Sequence, residues 1–468
     1  MNREKLVSVI MPIYNGSNTL YETINDVLKQ TYPHFELICV NDGSTDYSCS
    51  MLNDFADQDS RIRVIHQENQ GAGAARNAGL RVAKGDYLLF LDCDDKFDDH
   101  LLEFTVEKAE RKKADVVMFD AACEDAESGQ ENRSDWFIRK GAFPKKEIFC
   151  YKDCKDRIFN LSYGVVWNKL YRTAFIKQLG LCFQNTPYMN DTFFDHIVLV
   201  EAKRIVFLNK KLVTYRQDRT GAITNPYTFR NNPDCMLEVM DFIREYLIHR
   251  SLYQDVYKSF IISVIYHIFP ILELLKNEGY FRIYDVVKDK LFAEYEIKKM
   301  KVDEFPEQWM RDYVQAMEKY SGTEFIFYLI ERYQEYSKWA SSYTYTVGNE
   351  LINLIEYKHW VFDTNIFKQG DRVILYGAGE VGTDYYIQLT RESKVEIVGW
   401  VDRDYAEISG KPIRVEAPDM IRNREFDYII IAVRSMNAIE EIKKQLVQDD
   451  VPEEKILLMP EGIQEMFV

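Results

Sequence analysis

The stretch Tyr87-Leu88-Leu89-Phe90-Leu91-Asp92-Cys93-Asp94-Asp95 constrains the fold of this chain more than any other. Five aromatic or apolar residues run into a cluster of carboxylates, just after the turn-like pair Gly85-Asp86. So short a continuous apolar run reads as a strand buried on both faces, as in parallel sheets covered by helices. Such a strand delivers the residues after it to the carboxyl edge of the sheet, where open α/β folds bind ligands. Here those residues are Asp92-x-Asp94. Two such carboxylates can share a hard divalent cation and nucleotide hydroxyls, because Mg²⁺ takes one or two protein carboxylates with phosphate oxygens and water. An isolated Asp-x-Asp is most often a solvated acidic loop. Its place at the end of a buried strand is what gives it weight.

The residues before it repeat one pattern. Leu6–Met11 is a strand ended by Pro12, and Asn15-Gly16 is a turn. Thr19 with Glu22 forms a capping-box pattern, and Leu20, Ile24, Val27 and Leu28 then mark one helical face. A strand at Phe35–Val40 enters Asn41–Asp46, a helix runs to about Asp57, and a strand comes next at Ile62–Ile65. The small-residue loop Gln70–Ala75 leads into Arg76-Asn77-Ala78-Gly79. Strand and helix alternating in this way predict a doubly wound sheet with right-handed crossovers. Tyr14-Asn15, Asp42-Gly43-Ser44 and Asp92-x-Asp94 then converge on one crevice.

Four segments carry a resemblance: Met11-Pro-Ile-Tyr-Asn15, Val40-Asn-Asp-Gly-Ser-Thr-Asp46, Gly73-Ala-Ala-Arg-Asn-Ala-Gly79 and Phe90-Leu-Asp-Cys-Asp-Asp95. In order and spacing they resemble the motif series of family-two glycosyltransferases of the GT-A fold, over roughly the first 225 residues. The resemblance implies a doubly wound mixed sheet and a nucleotide-sugar donor, usually a uridine diphosphate (UDP) sugar. It implies a glycan or lipid-linked glycan acceptor and a Mn²⁺ or Mg²⁺ ion held by Asp94. Pro12, Tyr14, Asp42, Arg76 and Asp92 would contact the nucleotide. Val166-Trp-Asn-Lys-Leu-Tyr-Arg172 is similar to the family's Trp-Asn-Lys-Leu segment and puts Trp167 and Lys169 on the acceptor side. Tyr188–Phe194 stands in the place of the Glu-Asp motif, which makes Asp191 the general base, with Asp195 four residues on as the fallback. Asn190 occupies the position where Glu is common, and Ala222 one where Ser is common. Tyr215-Arg216-Gln217 and Gly221–Thr224 resemble the end of the catalytic domain.

Each residue has a plainer reading. Asp42 can end a strand and cap the next helix, Arg76 can be a surface cation, and Trp167 is as readily core as a sugar-stacking platform. The chemistry nevertheless fits the residues. Transfer from a nucleoside diphosphate displaces a doubly charged leaving group, which a metal ion can neutralise. One carboxylate then suffices to take the proton of the incoming hydroxyl, a contribution of roughly 10²–10⁴-fold. A carboxylate cluster and one distant carboxylate predict direct, inverting displacement. Asp191 is expected to sit in a helix's first turn, where the positive dipole end holds it ionised, while Phe193 and Phe194 push the other way.

At 468 residues two or three domains are expected. The net charge of −16 argues against nucleic acid and against broad docking on anionic lipid. The eight cysteines all precede position 236 and include no C-x-x-C pair, and the N-terminus does not read as a signal peptide. The expectation is reduced thiols and a cytoplasmic location, extending to the inner face of the membrane. Residues 226–368 read as helical, with amphipathic stretches at Met236–His249, Gln254–Asn277 and Glu307–Tyr336. The most apolar part, Phe260–Leu275, falls short of the ~20 residues of a spanning helix and contains His267, Pro270 and Glu273. It reads as a buried or subunit-interface helix, which leaves a homo-oligomer open and any membrane contact peripheral.

Residues 369–468 start afresh, after a GT-A domain at 1–225 and the helical region at 226–368. The strand Asp371–Tyr376 leads at once into Gly377-Ala-Gly379-Glu-Val-Gly382, and the strand Val395–Val401 ends in Asp402. The 25 positions from Gly377 to Asp402 are close to the ~20-residue spacing of a dinucleotide fingerprint. A third strand is expected at Phe426–Val433. The unit is about half a full dinucleotide domain and resembles small nucleotide-binding-like modules attached to bacterial sugar-processing enzymes. It is expected to be a Rossmann-like module of structural or regulatory role. Two rivals stay open: an NAD(P)-binding second centre that modifies a sugar nucleotide, and a non-catalytic sugar-nucleotide scaffold, hinted at by Asn190.

Overall fold

The computed structural model describes residues 4–125, 131–132, 137–217, 232, 234–275, 277–325, 328–329, 366–391, 395–406, 408, 411–433 and 435–458. Gly221–Thr224, with Ala222, and the end of the helix expected at Glu307–Tyr336 lie outside the described residues. The chain divides into two compact units, Met1–Ile268 and Phe269–Val468.

The first unit is built on β1 (Val7–Ile13), β2 (Phe35–Asp42), β3 (Ile62–Gln67), β4 (Tyr87–Phe90), β5 (Lys96–Phe97), β6 (Val116–Asp125), β7 (Glu131–Asn132), β8 (Ile148–Phe149), β9 (Lys169–Arg172) and β10 (Ile205–Gln217). Their order is β3-β2-β1-β4-β9-β6-β10-β5, with β7 on β6 and β8 on β10. The first four strands are parallel. β9 then enters antiparallel to both β4 and β6, while β6 and β10 run parallel. This is the mixed sheet of a GT-A domain. Every residue of β1 and β4 is buried, which is why their sequences carry no alternation.

Pro12 does not end the first strand; β1 continues to Ile13 and pairs there with Asn41 of β2. Ile10 accepts from Leu91 N on the β4 side, so alternation turns Pro12 to that side too. β4 pairs no further than Ile10, so the ladder loses nothing where proline lacks its N–H. The helices are α1 (Leu20–Leu28), α2 (Ser48–Gln58), α3 (Ala72–Val82), α4 (Leu101–Lys112), α5 (Thr173–Leu179) and α6 (Asn190–Glu201). The capping box expected at Thr19 does not form. Its hydroxyl donates instead to Cys93 O at 2.9 Å, and Glu22 pairs with Arg216 at the end of β10. The first contact ties α1 to the loop that carries Asp92 and Asp94, and the second ties it to β10. α3 lies tight on β1, because a Cβ on Gly79 would come within 2.5 Å of Ile10 Cγ2.

α7 (Cys235–His249) lies against α6. α8 (Tyr253–Leu274) contains the apolar stretch, and Phe260, Ile261, Val264 and Ile265 are fully buried within the single chain. A buried helix is therefore what the sequence encodes there. No helix among the described residues is long and apolar enough to cross a membrane.

The second unit contains α9 (Asn277–Asp289), α10 (Gln308–Lys319), α11 (Glu380–Arg391) and α12 (Met436–Gln448). Its strands are β11 (Asp371–Tyr376), β12 (Val395–Val401), β13 (Tyr428–Ile431) and β14 (Ile456–Leu457). They form a separate, wholly parallel sheet of order β12-β11-β13-β14. Ile374, Val401, Ile429 and Ile431 of the sheet pack with Ile439 and Ile442 of α12 in one core.

Candidate active site

The ends of β1 and β2 are stapled together. Asn15 adopts a left-handed conformation (φ 52°), donates from its N–H to Ser44 Oγ at 3.0 Å, and accepts on Oδ1 from Thr45 N at 2.8 Å. Asp46 accepts from the N–H groups of Ser17 and Ser48, both at 3.0 Å. Burial works against its charge, but the hydrogen bonds from Ser48 and Ser17 prevail and hold it at about 2. Beside these bonds Pro12 is buried and Tyr14 is exposed. Asp42, at the end of β2, is buried. Its Oδ1 accepts from Gln67 Nε2 at 2.7 Å and Gln70 N at 2.9 Å, and its Oδ2 from Gly71 N at 2.8 Å. Asp42 therefore anchors the loop that opens α3, a task the sequence did not disclose. Oδ2 keeps one lone pair for a further donor.

Arg76 is no surface cation. It is 5% exposed, with Nη2 donating to Asp92 Oδ1 at 2.7 Å and Nη1 to Asn190 Oδ1 at 2.8 Å. One planar guanidinium thus joins the end of β4 to the start of α6, over the ring of Phe183. α3 can approach this closely because residue 73 is glycine; a Cβ there would meet Gln184 O at 2.2 Å. Asn190, in sequence a departure from Glu and a hint of a scaffold, is here an acceptor for Arg76. Its amide oxygen does the accepting that a Glu carboxylate would do, without the charge.

Asp191 lies in the first turn of α6, which begins after Met189 in a left-handed conformation (φ 56°). Phe194, one turn on, packs on Phe90 of β4 and stacks on Phe183 at 4.3 Å. Burial pushes Asp191 up to about 6; the Arg76 guanidinium opposes the rise and the Asp92 carboxylate adds to it. The expectation that the helix dipole would prevail is corrected: desolvation wins.

Asp195 is excluded as the fallback base. It is fully buried with Lys169 Nζ 2.8 Å from Oδ1 and His196 Nδ1 3.6 Å from Oδ2. Lys169 is equally buried and donates to Ser162 Oγ, Val165 O and Asn168 Oδ1. Its expected acceptor-side role is therefore corrected to that of an internal counter-ion. Trp167 is 3% exposed, stacked on Tyr215 at 5.9 Å and edge-on to Phe137 at 5.0 Å, so it is core and not an open sugar platform.

Asp92 and Asp94 are half-buried and come directly after β4. No group of three or more His, Cys, Asp or Glu side chains among the described residues could hold an ion alone. One or two carboxylates completed by diphosphate oxygens are what Mg²⁺ or Mn²⁺ accepts, so the donor set fits a cation shared with substrate.

In the second unit Gly377 (φ 111°) turns the chain out of β11. A Cβ on Gly382 would lie 1.9 Å from Gly377 O, so α11 packs hard on the loop. Asp402 Oδ2 accepts from Ala378 N at 2.6 Å and Oδ1 from Asp404 N at 2.9 Å. The acid of the fingerprint thus holds the glycine loop itself. Gly379 stands open beside it, with nothing within 4 Å of a Cβ added there.

Residues 8–180 match the model of glycosyl transferase family 2, and residues 369–457 match the model described as C2185-like, N-terminal. The chain is 36% identical over 234 residues to the glycosyltransferase GlyG of Streptococcus pneumoniae, covering 47% of this chain and 73% of that one. It is 44% identical over 107 residues to the putative teichuronic acid biosynthesis glycosyltransferase TuaG of Bacillus subtilis, covering 23% of this chain and 42% of the relative. The solved structure of S. aureus TarS 1-349 in complex with UDP-GlcNAc aligns with a TM-score of 0.46 at 19% identity, over 66% of this chain and 91% of that one. The motif-bearing strand ends and the extent of the GlyG match lead to one conclusion: the chain is a glycosyltransferase and belongs to glycosyl transferase family 2.

Proposed function

We propose that this chain moves a sugar, with inversion, from a uridine diphosphate donor to a hydroxyl of a growing cell-surface polysaccharide or glycolipid, with a divalent cation at Asp94. The observation that carries the reading is Arg76, whose guanidinium binds Asp92 on the donor side and Asn190 beside Asp191. On this reading a candidate base stands next to the diphosphate, an arrangement that supports catalysis over a scaffold. A polymer acceptor is supported by TuaG's name. We assign catalysis to residues 1–225, with 226–368 and 369–468 as accessory parts, and place the reaction in the cytoplasm at the inner face of the membrane.

In this reading Pro12 and Tyr14 border the base, and the remaining lone pair of Asp42 takes the single imide N–H of uracil. Asp92 meets the ribose, while Arg76 faces the diphosphate. The cation supplies Lewis-acid neutralisation of the leaving diphosphate. With a pKa of about 6, Asp191 is mostly ionised at neutral pH yet basic enough to take a proton. It accepts the proton of the acceptor hydroxyl as that oxygen bonds to the anomeric carbon and the nucleoside diphosphate departs. The test is a donor screen on the full chain with Mn²⁺ or Mg²⁺, reading released nucleoside diphosphate. Release of UDP from one UDP sugar supports the proposal; release from no donor refutes it.

A further inference from the structure

The second unit carries a cleft of about 370 Å³ lined by none of the candidate catalytic or donor-binding residues. It opens where β11, β12 and β13 all end, with Tyr376, Gly379, Asp402, Arg403, Val433 and Ile442 among its walls. In a parallel sheet of order β12-β11-β13-β14 the crossovers to either side of β11 leave in opposite directions, and ligands bind at such a point. We propose that this cleft binds one nucleoside phosphate, of mononucleotide size, and that the module senses it or holds it independently of the catalytic unit.

Three observations set the ligand class. The sheet is a single half of the paired architecture that takes a dinucleotide, and one half takes one mononucleotide. The volume lies near the bottom of the range of about 300–1,000 Å³ for small-molecule sites, enough for one nucleoside phosphate and short for two. The walls are also mixed in the required way. Gly379 has open space at its Cα, so backbone can approach a phosphate; Arg403 supplies a cation; Val433 and Ile442 supply apolar surface. Asp402 already holds Ala378 N and Asp404 N, and each oxygen retains a lone pair for a ribose hydroxyl.

Gly379 also provides the test. A Cβ added there meets no neighbour and Gly379 lines the cleft, so Gly379→Leu should fold and intrude on the cleft. Calorimetry on the full chain and on this variant would use AMP, ADP, UMP, UDP and NADH. The expected result is a nucleoside mono- or diphosphate whose binding weakens at least tenfold in Gly379→Leu, with unchanged thermal unfolding and unchanged donor turnover. For UDP, which the catalytic unit also binds, the stoichiometry should fall from two to one. No nucleotide affected by Gly379→Leu would overturn the proposal, and so would preferred binding of NADH. Both readouts stand whether or not any sugar donor is turned over.

Discussion

Replacing Asp191 by Asn should make the protein more stable at alkaline pH while disabling it. In the folded chain the carboxyl is raised from 3.8 to about 6, chiefly by burial. At 1.36 kcal/mol per pH unit, that difference corresponds to ~3 kcal/mol of extra cost for carrying the charge when folded. The residue is half-buried, and water reaching it lowers the figure to ~1–3 kcal/mol. The sign comes from linkage. Below the unfolded pKa both states hold the proton and no penalty exists. As pH rises through the folded pKa the unfolded chain has long released its proton, and the wild type has lost the full amount. Asn carries no charge at any pH. Urea unfolding at pH 8 should therefore show the Asp191→Asn variant ahead by ~1–3 kcal/mol, a midpoint shift of ~1 M for a slope near 2 kcal/mol/M. The gap should shrink toward zero between pH 6 and pH 4. A variant no more stable than wild type at pH 8, or an advantage independent of pH, would refute the claim that desolvation governs Asp191.

The other sites give sharper activity readouts. Asp94→Asn should abolish transfer with an unchanged circular dichroism spectrum, and full activity of that variant in chelator would remove the cation from the proposal. Asp42→Ala should weaken UDP binding by roughly 1.5–3 kcal/mol, the range for a hydrogen bond to a charged group. Because Asp42 also holds Gln70 N and Gly71 N, the variant should lose stability as well; unchanged calorimetric affinity would leave it only the anchoring role. The rate kcat/KM should fall about tenfold per pH unit below about 6, since the base must be unprotonated; a flat profile from pH 5 to 8 would exclude Asp191.

The sequence disclosed whatever local pattern could carry. The run Tyr87–Leu91 declared a buried strand, the polar clusters after β1, β2 and β4 fall at one edge of the sheet, and the glycine series after Tyr376 declared a second parallel sheet. Hidden were features set by distant partners. Lys169 was expected on the acceptor side, but its counter-ion Asp195 lies 26 residues away on another element. The short strand Lys169–Arg172 gives no sign that it will insert antiparallel between β4 and β6. Pro12 ought to stop a strand, and fails to because β4 has already ended on the side it faces. Asn190 becomes intelligible only once Arg76 is seen to need an acceptor there.

The most direct test is to measure donor binding and sugar transfer on one preparation of Asp191→Asn. Asp191 should act as base and not as binding group, so UDP-sugar affinity and cation dependence should match the wild type. Transfer should fall by roughly 10²–10⁴-fold, the share a positioned general base supplies. Transfer at the wild-type rate by the Asp191→Asn variant, with its donor still bound, would contradict the account.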